Sequence, residues 1–286
     1  MTHPSPRVWF VTGASRGLGR AFAEAALAAG DAVVATARTP DSLDDLVAAH
    51  PDRALALALD VTDREAVHEV VARARAFRGR LDVLVNNAGY GLAGGVEEAT
   101  EQEVREQFEV NVFGALWCTQ AVLPVMREQR AGHIFQISSI GGVAGFLNTG
   151  IYHASKWALE GFSESLAQEV APFGVRVTIV EPGPFRTDWN GNSMQRTTPL
   201  PAYDDVLSAR RDAMSGSQAF TQAGDPARAA QALLQVLDHE KPPRRLLLGV
   251  LAADLAPTLY AQRLAEWSSW DAVARSADFP SGPVSA

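Results

Sequence analysis

The chain has few of the features that mark secreted, membrane or nucleic-acid-binding proteins. Its single cysteine, Cys118, excludes an intramolecular disulfide and fits a reducing compartment. Residues 1–7 lack the apolar core of a signal peptide, and no uninterrupted apolar run reaches the roughly 20 residues that a bilayer needs. The net charge of −8 and the lack of a basic tract argue against a nucleic-acid surface. We therefore expect a cytoplasmic protein without a membrane or nucleic-acid partner.

The rest of the composition is that of an ordinary globular protein, with 286 residues, 47% of them apolar and 20% charged. Near-continuous apolar runs alternate with helical stretches, which predicts an α/β fold with about seven parallel strands covered by helices on both faces. The expected strands are 8–11, 32–37, 54–59, 83–85, 133–137, 175–180 and 245–248. The expected helices are 18–29, 42–49, 63–77, 101 through Asn111 and beyond, 151–172, 204–214, 225–238 and 251–270. Thr62 is the expected cap of the third helix, and Pro124 is a candidate kink or break.

The carboxyl ends of parallel strands lie along one edge of such a sheet, and ligands bind in the crevice at that edge. The residues at or just after those ends are Gly13, Ala37, Asp60, Asn86, Ser139 and Pro182. Residues that are far apart in sequence should therefore meet in one crevice.

A glycine-rich turn follows the first strand, with Gly13, Gly17 and Gly19 leading into a helix. Such a turn lets the backbone approach a pyrophosphate, whose charge a helix N-terminus favours. The second strand ends without a carboxylate for the adenosine ribose, and two arginines, Arg16 and Arg38, are close in the predicted fold. We therefore expect NADP(H) to be preferred, with NAD(H) as the alternative. Asp60 is either an acceptor for the adenine amino group or a turn residue.

Tyr152 and Lys156 are four residues apart on a predicted helix, so their side chains lie on one face. An ammonium beside a phenol favours the phenolate, so we expect the pKa of Tyr152 to fall below its usual value of about 10. Ser139 precedes this helix and is placed to hydrogen-bond the same reacting oxygen. The three groups suit acid–base chemistry on a carbonyl or an alcohol. No metal is expected, since the six histidines have no ligand-like spacing.

The α/β alternation stops after Gly183. We interpret residues 184–225 as an insertion or lid that covers the substrate, residues 251–270 as a C-terminal helical extension and residues 276–286 as a loose tail. The candidate pocket residues suggest a bulky apolar substrate; they are Tyr90, Leu92, Phe146, Phe185, Trp189 and Met194. No linker interrupts the chain, so residues 1–286 are expected to form a single domain.

The set of motifs resembles the classical short-chain dehydrogenases/reductases, whose order and spacing it matches from about Val8 to Thr187. The matching segments are Thr12-Gly-Ala-Ser-Arg-Gly-Leu-Gly19, Asn86-Asn-Ala-Gly89, Asn111, Ser139, Tyr152-His-Ala-Ser-Lys156 and Pro182-Gly183. The resemblance implies a Rossmann-type, doubly wound sheet. The stretch from Glu181 to Asp188 and the long C-terminal part resemble the 17β-hydroxysteroid-dehydrogenase-like branch.

The resemblance also implies roles for individual residues. Tyr152 would be the general acid/base, Ser139 would orient the substrate oxygen, Lys156 would bind the nicotinamide ribose, and Asn111 would hold a relay water. Ser139 is preferred over Ser138 because it lies thirteen residues before Tyr152. Together with Tyr152 and Lys156, the expected cofactor contacts are Gly13, Ser15, Arg16, Gly17, Leu18, Gly19, Arg38, Asp60, Val61, Asn87, Ala88, Gly89, Pro182, Gly183 and Thr187. The expected substrate contacts are Ser139, Tyr90, Phe146, Phe185 and Trp189.

These expectations add up to an NADP(H)-dependent oxidoreductase that interconverts a ketone or aldehyde with an alcohol. Two alternatives remain: an NAD(H)-dependent alcohol or hydroxysteroid-type dehydrogenase, and a regulator that senses NADP(H) without turnover. The helices at 101–130 and 152–172 pair subunits in the family, so a homodimer or homotetramer is expected.

Overall fold

The strands form a seven-stranded parallel sheet and a separate two-stranded one in the computed structural model, which describes residues 6–191, 193–215 and 223–279. The strands are β1 (Val8–Val11), β2 (Ala32–Ala37), β3 (Ala54–Ala58), β4 (Val83–Asn86), β5 (Gly91–Ala93), β6 (Gly132–Ile137), β7 (Val175–Pro182), β8 (Met194–Arg196) and β9 (Arg245–Leu248). The large sheet has the order β3-β2-β1-β4-β6-β7-β9, and β5 pairs with β8 in parallel. This is the expected doubly wound arrangement.

Helices cover both faces of the large sheet. They are α1 (Gly17–Ala28), α2 (Asp44–Ala49), α3 (Arg64–Arg78), α4 (Glu101–Phe108), α5 (Ala115–Gln129), α6 (Ile140–Val143), α7 (Gly150–Val170), α8 (Asp204–Ser215), α9 (Pro226–Asp238), α10 (Val250–Ser269) and α11 (Asp271–Arg275). Helices α1, α2 and α9 pack on one face, and α3, α5 and α7 pack on the other. The positions of the strand ends are therefore fixed by two cores rather than one.

Alternate residues of each strand belong to the two cores, because successive side chains of a strand point to opposite faces. In β1, Trp9 and Val11 join the core beneath α1 and α9, whereas Val8 and Phe10 join the core beneath α3 and α5. All four side chains are almost completely buried. Burial on both faces explains why the strand reads as an unbroken apolar run.

The predicted strands of the large sheet are all confirmed, whereas the predicted cap of the third helix is wrong and Pro124 does not divide its helix. Asp63 caps α3 by accepting from the Ala66 amide at 2.9 Å, whereas the Thr62 hydroxyl donates to Asp60. Pro124 lies inside α5, which continues to Gln129.

The interruption of the long helix lies instead at Glu109–Gly114, where one π-helical segment separates α4 from α5. An extra residue in the turn re-aims the side chains of such a segment, which is why it often occurs at functional sites. The helix Glu101–Gln129 is also the one described helix long and apolar enough to cross a membrane on length and composition, and half of its most apolar stretch is buried inside the protein.

The described parts of the segment from Pro184 to Asp225, here called the covering segment, lie against the carboxyl end of the sheet and are attached to the body at Glu98. The buried Glu98 carboxylate accepts from the backbone amide of Leu200 at 2.9 Å, and it pairs with Arg211 of α8. Residues 192 and 216–222 of this segment lie outside the described part of the chain. The two-stranded sheet, which the sequence did not predict, also ties the segment to the body.

The C-terminal extension begins with α10, whose buried residues are Ala252 and Ala256. Further along this helix, the Arg263 guanidinium lies over the rings of Trp157 and Tyr260, at 5.1 and 5.3 Å from their centroids. The expected loose tail is described as far as Phe279; residues 280–286 lie outside the described ranges.

Candidate active site

A cavity of about 810 Å³ opens at the carboxyl ends of the strands, where the sequence predicts the ligand crevice. Most of the expected site residues line it: Gly13, Ser15, Arg16, Gly17, Leu18, Arg38, Asp60, Val61, Asn87, Ala88, Gly89, Tyr90, Ser139, Phe146, Tyr152, Lys156, Pro182, Gly183, Phe185, Thr187 and Trp189. Gly19 and Asn111 are not among the described lining residues. The topology therefore brings together residues from every predicted motif except Asn111.

The glycine-rich turn joins β1 to α1 along one wall of the cavity. Gly13 has a φ of +64°, and a side chain there would come within 2.9 Å of the Ala88 main chain. A side chain at Gly19 would collide with the Asn87 amide and the Gly13 carbonyl, so this glycine permits close packing beneath the turn. Helix α1 has no side-chain cap and no acidic residue in its first turn. Its first amides and this bare turn fit a pyrophosphate group.

Asn87 and Thr12 hold the turn against the end of β4. The Asn87 side-chain amide donates to the carbonyls of Thr12 and Gly13, each at 3.0 Å. The Thr12 hydroxyl oxygen accepts from the backbone amides of Asn87 and Ala88, also at 3.0 Å. Asn87 therefore scaffolds the crevice floor, while it also lines the cavity.

Two arginines border the end of the cavity where the second strand terminates. Arg38 is exposed and lines the cavity. Arg16 donates to the Ser193 hydroxyl at 2.9 Å and lies 3.8 Å from an Asp188 carboxylate oxygen, so it contacts the covering segment. Asp60 accepts from the amide of Thr62 at 3.0 Å and from its hydroxyl at 2.8 Å. One carboxylate oxygen of Asp60 thus stabilises the turn after β3.

Tyr152 and Lys156 lie one turn apart on α7, and both side chains are buried. The Lys156 ammonium donates to the Ile137 carbonyl at 2.9 Å and lies 5.9 Å from the centre of the Tyr152 ring. Burial raises the pKa of Tyr152 to about 12, although a hydrogen bond from Ser139 acts in the opposite direction. Burial lowers the pKa of Lys156 to about 8, and the charge of Glu160 opposes that change.

The expected fall in the pKa of Tyr152 is therefore wrong. Loss of solvent penalises the phenolate more than nearby polar groups favour it, and the Lys156 ammonium is directed to a main-chain carbonyl. Tyr152 is a neutral phenol near pH 7, which makes it a proton donor rather than a base at that pH.

The two adjacent serines have different partners. Both serines line the cavity, and Ser139 caps the short helix α6 by accepting from the Gly141 amide at 3.0 Å. The Ser138 hydroxyl donates to the Glu160 carboxylate at 2.5 Å. Because Ser138 is engaged with Glu160, the geometry favours Ser139 as the group that meets a substrate oxygen.

Asn111 lies behind the cavity wall, in the π-helical segment. Its amide donates to the Tyr90 carbonyl at 2.9 Å and to the Ser155 hydroxyl at 3.0 Å, and its oxygen accepts from the Tyr90 amide at 3.1 Å. The side chain is a hydrogen-bonded buried amide that fixes the loop after β4. Its role in a proton relay stays a prediction.

The substrate side of the cavity is largely apolar. Phe185 and Met194 are buried, and Trp189 lies with its ring centre 5.6 Å from that of Tyr152. Leu92 is 2% exposed and is not among the described lining residues, so its proposed pocket role is wrong; it lies in β5, which the sequence did not predict. The lining residues that sequence reasoning missed include His153, Arg210, Met214, Leu251 and Leu255.

His153 adjoins Tyr152 in sequence and shares the cavity wall with Phe146. Its Nδ1 accepts from the Phe146 amide at 3.1 Å, and the two rings meet edge to face. Burial lowers the pKa of His153 to about 4. A neutral, oriented imidazole therefore lies beside the phenol, and its position next to Tyr152 in the sequence could have identified it.

Comparison with known proteins finds a matching family model and similar sequences. Residues 7–198 match the family model described as short chain dehydrogenase. The chain is 44% identical over 251 residues to Oxidoreductase BOA17 of Botryotinia fuckeliana, covering 87% of this chain and 91% of the relative. It is 38% identical over 248 residues to 3-ketodihydrosphingosine reductase of Bacteroides thetaiotaomicron, covering 86% and 89%.

Solved structures agree with the fold. A short-chain dehydrogenase from Streptomyces avermitilis superposes with a TM-score of 0.90 at 49% identity, covering 97% of this chain and all of that one. A short chain dehydrogenase from Burkholderia cenocepacia in complex with NADP superposes with a TM-score of 0.73 at 29% identity, covering 93% and 97%.

Proposed function

Because this chain belongs to the short-chain dehydrogenase family of oxidoreductases, we propose that it interconverts a ketone or aldehyde with an alcohol, using NADP(H). The observation that carries the proposal is the position of Tyr152. Its buried phenol lines the same cavity as Ser139, Lys156 and the glycine-rich turn. A proton donor and a turn suited to a dinucleotide thus share one cavity.

The protein side chains supply the acid–base half of the reaction. The nicotinamide, when bound, supplies or accepts the hydride. During reduction, Tyr152 donates its phenolic proton to the carbonyl oxygen, and Ser139 hydrogen-bonds that oxygen. Lys156 as an ammonium stabilises the phenolate that remains. The high pKa of Tyr152 keeps the phenol protonated at neutral pH, as the reductive step requires.

The preference for NADP(H) rests on charge near the end of β2. Arg16 and Arg38 line the cavity there, and an additional phosphate on the ribose would pair with a guanidinium. The NADP in the Burkholderia structure supports this assignment. An NAD(H)-dependent dehydrogenase is the alternative, and the ratio of kcat/KM values for NADPH and NADH decides between them.

The apolar cavity wall supports a bulky apolar substrate. Phe146, Phe185, Trp189 and Met194 line the side of the cavity near Tyr152. A reductase of 3-ketodihydrosphingosine is among the similar proteins, which fits a substrate with a long apolar part. The segment at 184–225 would act as the lid over this substrate, and the protein would work in the cytoplasm as a homodimer or homotetramer.

The experiment is a panel of aliphatic, aromatic and long-chain ketones and aldehydes, followed through NADPH absorbance. Tyr152→Phe should lower kcat by about 10²- to 10⁴-fold, the usual contribution of a general acid, while NADPH binding measured by calorimetry persists. Equal turnover by Tyr152→Phe would refute the mechanism. Cofactor binding without any turnover by the wild type would favour the regulator that senses NADP(H).

A further inference from the structure

Glu160 is the third buried polar side chain on the helix face that carries Tyr152 and Lys156. The three residues follow one another at intervals of four along α7, so their side chains lie on one face. Glu160 is only 3% exposed. A carboxylate is seldom buried this deeply unless partners stabilise it, so its contacts are informative.

Both carboxylate oxygens of Glu160 have a donor. Oε1 accepts from the Ser138 hydroxyl at 2.5 Å, and Oε2 accepts from Nη1 of Arg245 at 2.6 Å. A side chain at Gly142 would collide with the Glu160 carboxylate and the Ser138 hydroxyl, so the bare backbone of α6 closes over the pair. The orientation of the Ser138 side chain is therefore set by Glu160.

Ser138 connects Glu160 to the reacting groups through the end of β6. The residue before it, Ile137, provides the carbonyl that accepts from Lys156 at 2.9 Å. The residue after it, Ser139, provides the hydroxyl that lines the cavity. The bond from the Ser138 hydroxyl to Glu160, together with the bond from the Ser138 amide to the Val180 carbonyl at 2.7 Å, holds the stretch of backbone that carries both groups.

The charges around Glu160 come from three elements. Arg245 of β9 also contacts Glu181 of β7, and its Nε donates to Glu164 of α7 at 2.9 Å. Burial raises the pKa of Glu160 above its ordinary value, whereas the bonds from Ser138 and Arg245 act in the opposite direction. Burial raises the pKa of Glu181 to about 7. A single guanidinium thus faces three carboxylates beneath the active site.

The negative charge of Glu160 acts on both members of the acid–base pair. It favours the Lys156 ammonium and disfavours the Tyr152 phenolate, so it raises the pKa of each group. It therefore opposes the effect of burial on Lys156 and adds to the effect of burial on Tyr152. The Glu160 carboxylate is thereby coupled to the protonation of the reacting groups without lining the cavity.

We propose that Glu160 is a positioning residue for the reaction: through Ser138 it helps to hold the strand end that carries Ser139, and its carboxylate acts on the Tyr152 phenol from the same face of α7. The inference rests on the proposed function, because it assigns Glu160 a part in that proton transfer. Glu160 and Arg245 form one unit in this role, with Arg245 holding the carboxylate in place.

Two substitutions separate the two parts of the role. Glu160→Gln keeps an acceptor for Ser138 but removes the charge, and Arg245 retains Glu181 and Glu164, so the fold should persist. Ser138→Ala removes the hydrogen bond and keeps the charge. Glu164→Gln is the matched control, since this residue contacts the same arginine and its side chain is 45% exposed.

The first measurement is an ultraviolet titration of the Tyr152 phenol, taken as the difference between each protein and its Tyr152→Phe counterpart. Glu160→Gln should lower the phenol pKa by about one pH unit, the size expected for one charge across a partly buried site. Ser138→Ala and Glu164→Gln should titrate like the wild type. In turnover assays, Ser138→Ala should lower kcat by about tenfold or more, up to the 10²-fold loss that a small misplacement causes.

Coincident titrations of Glu160→Gln and wild type would overturn the proposal, and so would equal kcat values for Ser138→Ala and Glu164→Gln. The titration requires no substrate. A wild type that reduces no carbonyl would therefore refute the proposed function separately. The titration would still decide whether the charge of Glu160 acts on the Tyr152 phenol.

Discussion

The Lys156 ammonium donates to the Ile137 carbonyl at 2.9 Å, in a position where the side chain is 4% exposed. This hydrogen bond joins the helix that carries the phenol to the strand that carries the active-site serine. It also gives the buried cation one fixed direction. The protonation of Lys156 should consequently control the site more strongly than that of a surface lysine.

The pH dependence of reduction should follow Lys156. Its pKa is lowered to about 8, so the side chain is an ammonium below that pH and a neutral amine above it. We expect kcat for carbonyl reduction to fall as the pH rises through about 8, while Tyr152, with a pKa of about 12, stays protonated. Lys156→Arg keeps the charge at high pH, so its profile should stay flat, whatever its absolute rate.

The chain has only two lysines, which provides a clean control for this measurement. Lys241 is exposed and lies in the loop before β9, at the opposite end of the sheet from the cavity. Lys241→Gln should retain the wild-type profile. A fall near pH 8 that persists in Lys156→Arg would assign the titration to another group.

The choice of cofactor should depend on Arg38. Removing a guanidinium that pairs with a phosphate costs about 1.5–3 kcal/mol, which corresponds to a loss of about 10- to 150-fold in kcat/KM. We expect Arg38→Ala to lose this much with NADPH and to change little with NADH. Arg244→Ala is the control, because Arg244 is exposed before β9. Equal losses with both cofactors would remove Arg38 from phosphate recognition.

The sheet could be predicted from sequence because each strand is a buried apolar run whose end carries a recognisable polar or glycine residue. The two-stranded sheet could not, since β5 and β8 have three residues each and lie about a hundred positions apart. Nor does hydrophobic periodicity distinguish a π-helical segment such as Glu109–Gly114 from an ordinary helix.

The parts of the site that depend on residues close in sequence were predictable. The properties that depend on burial, such as the pKa of a side chain, were less so. Tyr152 and Lys156 are recognisable by their spacing, but the solvent excluded from the phenol is a property of the whole fold, so the direction of its pKa was predicted wrongly. Arg245 lies 85 residues from Glu160, and sequence alone does not link them. The only indication of the network in the sequence was a glutamate, Glu160, four residues after Lys156 and therefore on the same helix face.

The packing role of Gly19 gives a prediction on stability. A methyl group there would collide with the Asn87 side chain and the Gly13 carbonyl. We expect Gly19→Ala to lower the free energy of unfolding by about 1–3 kcal/mol, as overpacking does, and to weaken NADPH binding because the turn must shift. Urea denaturation and calorimetry measure the two effects.

The matched control is Gly161→Ala, where an added methyl group meets no atom within 4 Å. Because Gly161 lies inside α7 and is exposed, alanine there should stabilise the protein by about 0.5–1 kcal/mol. Equal effects of the two substitutions would show that the turn tolerates a side chain at Gly19.

The attachment of the covering segment at Glu98 should control substrate affinity. The Glu98 carboxylate accepts from the amides of Gly95 and Leu200, at 2.7 and 2.9 Å, and pairs with Arg211. Arg211 adjoins Arg210 on α8, and Arg210 and Met214 line the cavity. Loosening this attachment should therefore displace part of the cavity wall while Tyr152 and Lys156 stay in place.

We expect Glu98→Gln to raise the KM for the carbonyl substrate, with kcat changed by less than about threefold, and to lower the free energy of unfolding. A hydrogen bond to a charged group contributes about 1.5–3 kcal/mol, so KM should rise by about 4- to 13-fold if half of that energy holds the segment closed. Glu101→Gln is the neighbouring control, since Glu101 is exposed and pairs with Arg105 of its own helix at 2.8 Å. A Glu98→Gln variant that loses kcat and keeps its KM would place the effect of Glu98 on the chemical step instead of on the covering segment.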